Sequence, residues 1–183
     1  RVTLGPEDIT GLRTDEMGRH GLAYVPQSDN VFRTLTIAQN LDLVLRRLDR
    51  ARAAARRDAL MAQFPILAEK RADRAATLSG GQRQVLAVAM ALANEPTAIL
   101  MDEPSAGLSP RAAQEVLEET RALTRRGVTV LLVEQNVSQA LRLADHCYIL
   151  ADGRNQLDGP AADLLGDPVV SEIYLGGKRV AAP

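Results

Sequence analysis

The chain has 183 residues, a formal net charge of -1 and 46% hydrophobic residues, values that are typical of a single globular domain. Lysine and arginine number 22 against 23 acidic residues, so the charge balance argues against a protein that holds nucleic acid by bulk positive charge. The single cysteine excludes an intrachain disulfide and a cysteine metal cluster, and the longest unbroken apolar run, residues 85–93, is far shorter than the ~20 residues of a membrane-spanning helix.

The first part of the chain is predicted to be a short strand followed by helices. The strand covers residues 21–25 and ends at Pro26. Apolar residues recur at helical spacing from Thr36 to Leu48, and the helix is predicted to continue from Leu48 to Met61, before Phe64-Pro65 interrupts it. This region carries six arginines, namely Arg46, Arg47, Arg50, Arg52, Arg56 and Arg57. They are typical of a solvated helix face, and a nucleic-acid or lipid patch is the alternative interpretation.

The second part of the chain is predicted to form an α/β core. Its elements are a buried helix over 82–93, a strand over 97–101, a helix that begins at Ser109 and Pro110, a strand over 128–133, a short helix over 137–144 and a strand over 146–150. The strands over 97–101 and 128–133 are continuous apolar runs, which predicts burial on both faces in a parallel sheet. With the helix between them, they predict a right-handed β-α-β unit. Asp152-Gly153 predicts a hairpin turn.

The segment Leu78-Ser79-Gly80-Gly81-Gln82 stands at the start of the buried helix. Ser79 and Gln82 have the spacing of a capping box, in which each side chain accepts a hydrogen bond from the other residue's backbone. Two successive glycines allow close approach to the backbone, and the helix dipole favours an anion at this end. The residues alone leave a helix cap and an anion site as equal alternatives.

Polar residues follow three of the four predicted strands. Asp102 and Glu103 end the strand over 97–101, where one carboxylate can hold Mg²⁺ and the other can activate a water molecule. A helix-capping role is the alternative for this acid pair. Gln27 follows the first strand, and by itself it is typical of an exposed loop amide. Gln135 follows the strand over 128–133 and is expected to reach toward the edge that holds Glu103, whereas Asn136 is predicted to cap the next helix.

Together, the sequences LSGGQ and ILMDEP resemble the ATP-binding subunit of an ABC transporter, and the resemblance covers essentially the whole chain. It implies a P-loop NTPase-like ABC ATPase core, which is an α/β fold with a mostly parallel sheet and flanking helices, plus an inserted helical subdomain. It also implies three regions. These are residues 1–27, the remnant of an N-terminal core up to the Q-loop; residues 28–77, the helical subdomain; and residues 78–183, with the signature helix, the Walker B core and the C-terminal tail.

The resemblance also implies roles for individual residues, with ATP and Mg²⁺ as ligands. The nucleotide-binding residues are Gln27 and the signature residues Leu78, Ser79, Gly80, Gly81 and Gln82. Asp102 and Gln27 hold the metal, Glu103 is the catalytic base, and Ser105, Ala106, Gly107 and Leu108 form the D-loop. Gln135 takes the catalytic position at which the family usually has a histidine, so it can donate a hydrogen bond but cannot carry an imidazolium charge.

One family motif is missing from these residues, since no G-x-x-x-x-G-K-S/T segment is present and the only lysines are Lys70 and Lys178. In the family, the phosphate-binding loop and the aromatic segment that stacks on adenine precede the position of Arg1. The resemblance therefore predicts an N-terminally truncated chain. By itself this chain is expected to bind MgATP weakly, to hydrolyse none and to expose an apolar face of its sheet.

Finer features resemble the smaller ATPase of branched-chain amino acid importers: SAGLSP, LLVEQNV, DITGL and the tail over residues 148–176. This resemblance implies a second ABC ATPase subunit, two membrane permease subunits and, indirectly, a periplasmic or extracellular solute-binding protein as partners, with no nucleic acid. It implies a peripheral location at the cytoplasmic face of the cell membrane. The alternatives are an importer for urea or short amides, a non-transport ABC ATPase acting on DNA or ribosomes, and a non-catalytic regulatory module.

Overall fold

The computed structural model describes residues 1–170, so the end of the predicted C-terminal tail lies outside the described residues. The chain divides into two compact units, Arg1–Val133 and Glu134–Pro183. The finer division into 1–27, 28–77 and 78–183 stays a prediction. Among the described residues, each helix is too short or too polar to cross a membrane.

The first unit contains five strands and five α-helices. Its elements begin with β1 (Thr3–Leu4), β2 (Glu7–Asp8), a 3-10 helix over Met17–His20 and β3 (Leu22–Val25). The helices α1 (Ile37–Leu45), α2 (Arg50–Gln63) and α3 (Pro65–Glu69), a 3-10 helix over Ala75–Thr77, α4 (Gly80–Ala91) and a 3-10 helix over Leu92–Asn94 follow. The unit ends with β4 (Ala98–Asp102), α5 (Pro110–Arg125) and β5 (Thr129–Val133).

A parallel sheet in the order β3-β4-β5 forms the centre of the first unit. Val25 is opposite Met101, and Met101 is opposite Leu132, so the three strands end at nearly the same level. Helix α5 connects β4 to β5, which confirms the predicted β-α-β unit. The predicted α/β class with a parallel sheet and flanking helices is confirmed.

The two faces of this sheet differ in burial. Val25, Ile99 and Met101 are almost completely buried and belong to one hydrophobic core with residues of α1 and α4. Successive side chains of a strand point to opposite faces, and on the opposite face Leu131 is 59% exposed and Val133 is 54% exposed. The prediction that β5 is buried on both faces is therefore wrong. The separate prediction that this chain exposes an apolar face of its sheet agrees with the exposure of Leu131 and Val133.

The helical segment is divided more finely than the sequence predicts. The side chain of Asp49 accepts a hydrogen bond from the N–H of Arg52 and caps α2. Residues 46–48 therefore form a turn, and the prediction of a helix that runs on through Leu48 is wrong. The predicted interruption at Phe64-Pro65 is confirmed, because α2 ends at Gln63 and Pro65 is the first residue of α3.

A fully buried asparagine fixes the segment between β3 and α1. The Oδ1 atom of Asn40 accepts a hydrogen bond from the N–H of Phe32 (2.8 Å), and its Nδ2 donates to the carbonyl oxygens of Phe32 (3.0 Å) and Thr36 (2.9 Å). Buried polar groups are stable when their hydrogen bonds are satisfied in this way. Asn40 thereby holds the residues that follow Gln27 against the start of α1.

The second unit has its own small core. Its described elements are α6 (Val137–Leu143), β6 (His146–Ala151), β7 (Arg154–Pro160) and α7 (Ala161–Leu164). Strands β6 and β7 pair antiparallel, and Asp152 and Gly153 between them both have positive φ angles (51° and 72°), so the predicted hairpin is confirmed. Asn136 accepts a hydrogen bond from the N–H of Gln139, which confirms its predicted role as the cap of α6.

Candidate functional site

The carboxyl ends of β3 and β4 bring two distant polar residues together. Gln27 lies just beyond β3 and Glu103 directly follows β4. The Nε2 atom of Gln27 donates a hydrogen bond of 2.7 Å to the Oε2 atom of Glu103. Ligands of parallel α/β sheets bind at this edge, because the loops after the strands converge there.

This hydrogen bond also defines how the Gln27 amide is oriented. Only its NH₂ group can donate to a carboxylate, so Oε1 is the atom left for a cation or another donor. A side chain with its carbonyl oxygen available next to two acidic residues suits a site for a hard cation.

Asp102 is the last residue of β4, beside Glu103. Its Oδ2 atom lies 3.4 Å from the hydroxyl of Tyr24, a residue of β3. Residues 1–170 contain no cluster of three or more His, Cys, Asp or Glu side chains that could enclose a metal ion. Mg²⁺ fits such a sparse site, because it keeps several water molecules and commonly takes only one or two protein carboxylates together with substrate phosphates.

The backbone of Glu103 is held in an uncommon conformation. Its φ angle is 45°, in the left-handed region that non-glycine residues rarely adopt. The N–H of Glu103 donates to the carbonyl oxygen of Val133 (2.8 Å), and its own carbonyl accepts from the N–H of Ala106 (3.0 Å). These bonds attach the residue to the end of β5 and to the following loop, and such strained residues are common at functional sites.

The capping box at the start of α4 is confirmed. The Oγ of Ser79 accepts from the N–H of Gln82 (3.2 Å), and the Oε1 of Gln82 accepts from the N–H of Ser79 (3.1 Å). Leu78 is only 3% exposed and packs in the core, so its side chain anchors the motif. The N–H groups of Gly80 and Gly81 have no hydrogen-bond partner within residues 1–170, and they are the donors that remain for an anion.

The two glycines also have a packing role that sequence reasoning missed. A Cβ atom at Gly80 would lie 2.7 Å from the Cδ2 of Leu108, and one at Gly81 would lie 3.2 Å from the Cβ of Ala112. The start of α4 therefore packs directly on the loop over 105–108 and on the first turn of α5. Close approach explains both glycines within this chain, so their presence does not by itself require an anion, and the anion site stays a prediction.

A second polar contact, Asn30 to Gln84, was not predicted. The Nδ2 of Asn30 donates to the Oε1 of Gln84 (2.9 Å) and to the carbonyl oxygen of Pro26 (3.3 Å), the residue before Gln27. Gln84 is on α4 and is only 6% exposed. The contact connects the Gln27 loop to the helix that carries the Ser79 cap. The sequence offers one signal for this contact, namely that Gln84 is a polar residue within a mostly apolar helix.

These elements enclose a cavity of about 280 Å³. Gln27, Asn30, Gly80, Arg83, Gln84 and Gly107 are among its lining residues. The loop that begins at Gln27, the start of α4 and the loop over 104–108 thus meet around one space in the first unit. Gln135 belongs to the second unit, two residues beyond β5, and its proximity to Glu103 stays a prediction.

Comparison with known proteins identifies similar sequences. A family model described as ABC transporter matches residues 1–106. The high-affinity branched-chain amino acid transport ATP-binding protein BraG of Pseudomonas aeruginosa is 42% identical over 93% of this chain and 73% of its own length. The probable branched-chain amino acid transport ATP-binding protein LivF of Archaeoglobus fulgidus is 38% identical over 96% of this chain and 75% of its own. The lipopolysaccharide export system ATP-binding protein LptB of Acidithiobacillus ferridurans is 36% identical over 96% and 73%.

Solved structures agree in fold. A nucleotide-free ATP-binding cassette from an ABC transporter superposes with a TM-score of 0.77 at 25% identity and covers 92% of this chain and 74% of its own. Another ATP-binding cassette of an ABC transporter, solved from a twinned crystal, gives a TM-score of 0.80 at 26% identity, with the same two coverages of 92% and 74%.

Proposed function

Because the chain belongs to the ABC transporter ATPase family, whose members couple ATP hydrolysis to transport, we propose that it is the ATP-hydrolysing subunit of an importer of branched-chain amino acids. The observation that carries the proposed ATPase site is the 2.7 Å hydrogen bond between Gln27 and Glu103 at the carboxyl edge of the sheet. The amino acid substrate rests on the identities of 42% and 38% to two ATP-binding proteins of branched-chain amino acid transport.

In this proposal each polar residue at the carboxyl edge of the sheet has a separate role in ATP hydrolysis. Glu103 orients and deprotonates the attacking water, for which a carboxylate within hydrogen-bond reach is needed. Asp102 and the Oε1 of Gln27 would hold Mg²⁺, which when bound would neutralise phosphate charge. Gln135 hydrogen-bonds the terminal phosphate or the water. The hydrogen bond from the Nε2 of Gln27 positions the Glu103 carboxylate and leaves the Oε1 of the same amide for the metal.

The signature segment acts on nucleotide held by a second ATPase subunit. The N–H groups of Gly80 and Gly81 donate hydrogen bonds to the phosphate, and the positive end of the α4 dipole favours its negative charge. The loop over residues 105–108 packs on the same helix start through Leu108, next to Gly80. Two permease subunits bind the helical segment 28–77, and the complex lies at the cytoplasmic face of the cell membrane.

The 183 residues by themselves are expected to hydrolyse no ATP. They contain no G-x-x-x-x-G-K-S/T segment, which supplies the main contacts to the β- and γ-phosphates. Isothermal titration calorimetry of the chain with MgATP is expected to give weak binding. A Kd at or below about 1 μM would contradict the assignment of half the phosphate contacts to the missing motif.

The catalytic assignment is tested on a chimera in which an ABC ATPase segment that carries the phosphate-binding loop precedes Arg1. Glu103→Gln keeps the size of the side chain and its hydrogen-bonding capacity but removes the base. We expect kcat to fall by at least about 100-fold while MgATP binding is retained. Glu95→Gln, at an exposed position away from the edge, is the matched control. Unchanged turnover in Glu103→Gln would refute its role as the base.

A second candidate substrate is lipopolysaccharide in an exporter, because the LptB relatives reach 36% identity over 96% of the chain. Deleting the gene in its own organism separates the two. Loss of radiolabelled leucine uptake with unchanged surface lipopolysaccharide supports import, and the reverse pattern supports export. If the protein serves an importer of urea or short amides, the deletion strain retains leucine uptake and loses uptake of that solute. If it is a ribosome- or DNA-associated ATPase, the protein does not copurify with membrane proteins.

A further inference from the structure

The turn between α1 and α2 concentrates positive charge at the protein surface. Arg46, Arg47, Arg50 and Arg52, here called the arginine cluster, lie within one short segment, and all of them are exposed. Asp49 is the only acidic residue between Arg46 and Arg52, and its carboxylate accepts the backbone N–H of Arg52 as the cap of α2.

The neighbouring arginines of α2 behave differently. Arg57 pairs with Asp42 at 2.6 Å, and Arg56 pairs with Glu95 at 3.3 Å and donates to the carbonyl oxygen of Ala93 at 3.2 Å. Within residues 1–170, the side chains of the arginine cluster form no ion pair. Intramolecular ion pairs therefore account for the two inner arginines, whereas the segment 46–52, with four arginines and Asp49, keeps a net charge of +3.

Helix stability does not explain the cluster either. Arg50 and Arg52 are in the first turn of α2, which contains no acidic residue. The dipole of a helix makes its N-terminus positive, so cations there are unfavourable, and the like charges of the cluster repel one another weakly through solvent. An external anionic partner would compensate both terms.

We propose that the arginine cluster binds anionic phospholipid headgroups at the membrane surface. Guanidinium groups match phosphate oxygens in bidentate geometry, and exposed clusters of four or more basic residues on helices bind anionic membranes. The membrane is favoured over nucleic acid because residues 33–63 contain no aromatic side chain on which a base could stack, and the net charge of the chain is -1. The membrane setting rests on the proposed function.

The proposal is tested with the 183-residue chain and lipid vesicles, without nucleotide or permease. Cosedimentation is measured with vesicles of phosphatidylcholine alone and with vesicles that contain about one third phosphatidylglycerol. We expect binding to the anionic vesicles only, with weaker binding as NaCl rises from about 50 to about 200 mM. Since one basic residue near an anionic surface contributes roughly fivefold in partitioning, R46Q/R47Q/R50Q/R52Q is expected to lose roughly 100-fold or more.

The matched control removes the same charge elsewhere in the first unit. R13Q/R19Q/R125Q/R126Q replaces four exposed arginines outside α1 and α2 and is expected to retain vesicle binding. The double variants R46Q/R47Q and R50Q/R52Q are each expected to lose part of the binding, so the result does not depend on how the quadruple variant folds. Equal loss in the control, equal binding to neutral vesicles, or cluster-dependent binding to RNA or duplex DNA without vesicle binding would overturn the proposal.

The result is separable from the ATPase proposal. Loss of vesicle binding in the cluster variants with unchanged MgATP affinity supports a lipid site distinct from the nucleotide site. Absence of vesicle binding in the wild-type chain refutes the lipid site and leaves the roles of Glu103 and Asp102 untouched. Conversely, an unchanged kcat in the Glu103→Gln chimera refutes the catalytic base and leaves the vesicle result standing.

Discussion

Gln27 and Glu103 are 76 positions apart in the sequence, and the amide of Gln27 donates a 2.7 Å hydrogen bond to the carboxylate of Glu103. The contact exists because β3 and β4 are adjacent parallel strands in register, with Val25 opposite Met101. Gln27 lies two residues after the end of β3 and Glu103 one residue after the end of β4, so the pairing of the strands brings the two side chains to the same edge. Four predictions follow from this edge and its surroundings.

Replacing the donor with an acid tests the Gln27–Glu103 contact. Gln27→Glu places two carboxylates face to face, and they repel when both are charged. Protonation of one of them removes the repulsion and restores a hydrogen bond, so the loss of stability is present at high pH and disappears as the pH falls. We expect the Tm of the variant to be below that of the wild type at about pH 8 and to approach it near pH 5, with a loss of about 1 kcal/mol or less because the pair is exposed.

The control for this experiment is Gln27→Ala. It removes the hydrogen bond without adding a charge, so its Tm difference from the wild type is expected to be independent of pH over the same range. Thermal melts followed by circular dichroism measure all three proteins. A pH-independent difference for Gln27→Glu would contradict direct contact between the two side chains.

A double-mutant cycle tests the packing of the signature glycine. Gly80→Ala places a Cβ atom 2.7 Å from the Cδ2 of Leu108, which forces the leucine side chain to move. We expect a loss of about 1 kcal/mol in the free energy of unfolding, measured by urea denaturation. In the Leu108→Ala background the clashing atom is gone, so the same substitution is expected to be neutral or stabilising, since alanine is the better helix former. Equal losses in both backgrounds would exclude this contact as the reason for the glycine.

The link between the Gln27 loop and α4 is tested at Gln84. Gln84→Ala removes the acceptor of Asn30 and leaves a cavity at a position that is 6% exposed, so we expect a loss of about 2–3 kcal/mol. Gln84→Met fills the space but cannot accept the hydrogen bond, and its loss is expected to be smaller. Hydrogen exchange of residues 27–31 is expected to accelerate in both variants. Unchanged exchange in Gln84→Met would show that packing alone holds the loop.

The exposed apolar face of the sheet is expected to cause self-association. Leu131 and Val133 lie on this face of β5, and apolar patches of this kind favour contact between copies of a protein. Leu131→Thr with Val133→Thr places β-branched residues, which favour strands, at both positions and reduces the apolar surface of the strand. We expect sedimentation velocity to show less association at high concentration.

Val130→Thr is the contrasting variant, because Val130 packs against the core on the opposite face. It is expected to lower the Tm and to leave association unchanged or increased. If the pair Leu131→Thr and Val133→Thr associates as strongly as the wild-type chain, the face does not drive association.

Local signals in the sequence were sufficient for much of the fold. The capping residues Ser79 and Gln82, the Ser109-Pro110 helix start and the Asp152-Gly153 turn act through contacts within a few positions, and each was correctly predicted. The strands were located because continuous apolar runs end at polar residues. The boundary between α1 and α2 was predicted wrongly, because the Asp49 cap starts a new helix where the apolar periodicity continues.

Contacts between distant parts of the chain required the folded structure. The pairing of Asn30 with Gln84, the packing of Gly80 on Leu108 and the exposure of one face of β5 depend on which elements become neighbours. A residue pattern specifies the conformation of its own segment, because caps, turns and periodicity involve nearby backbone groups. It does not specify which surface covers that segment, because burial depends on strand order, register and the shape of the opposing helix.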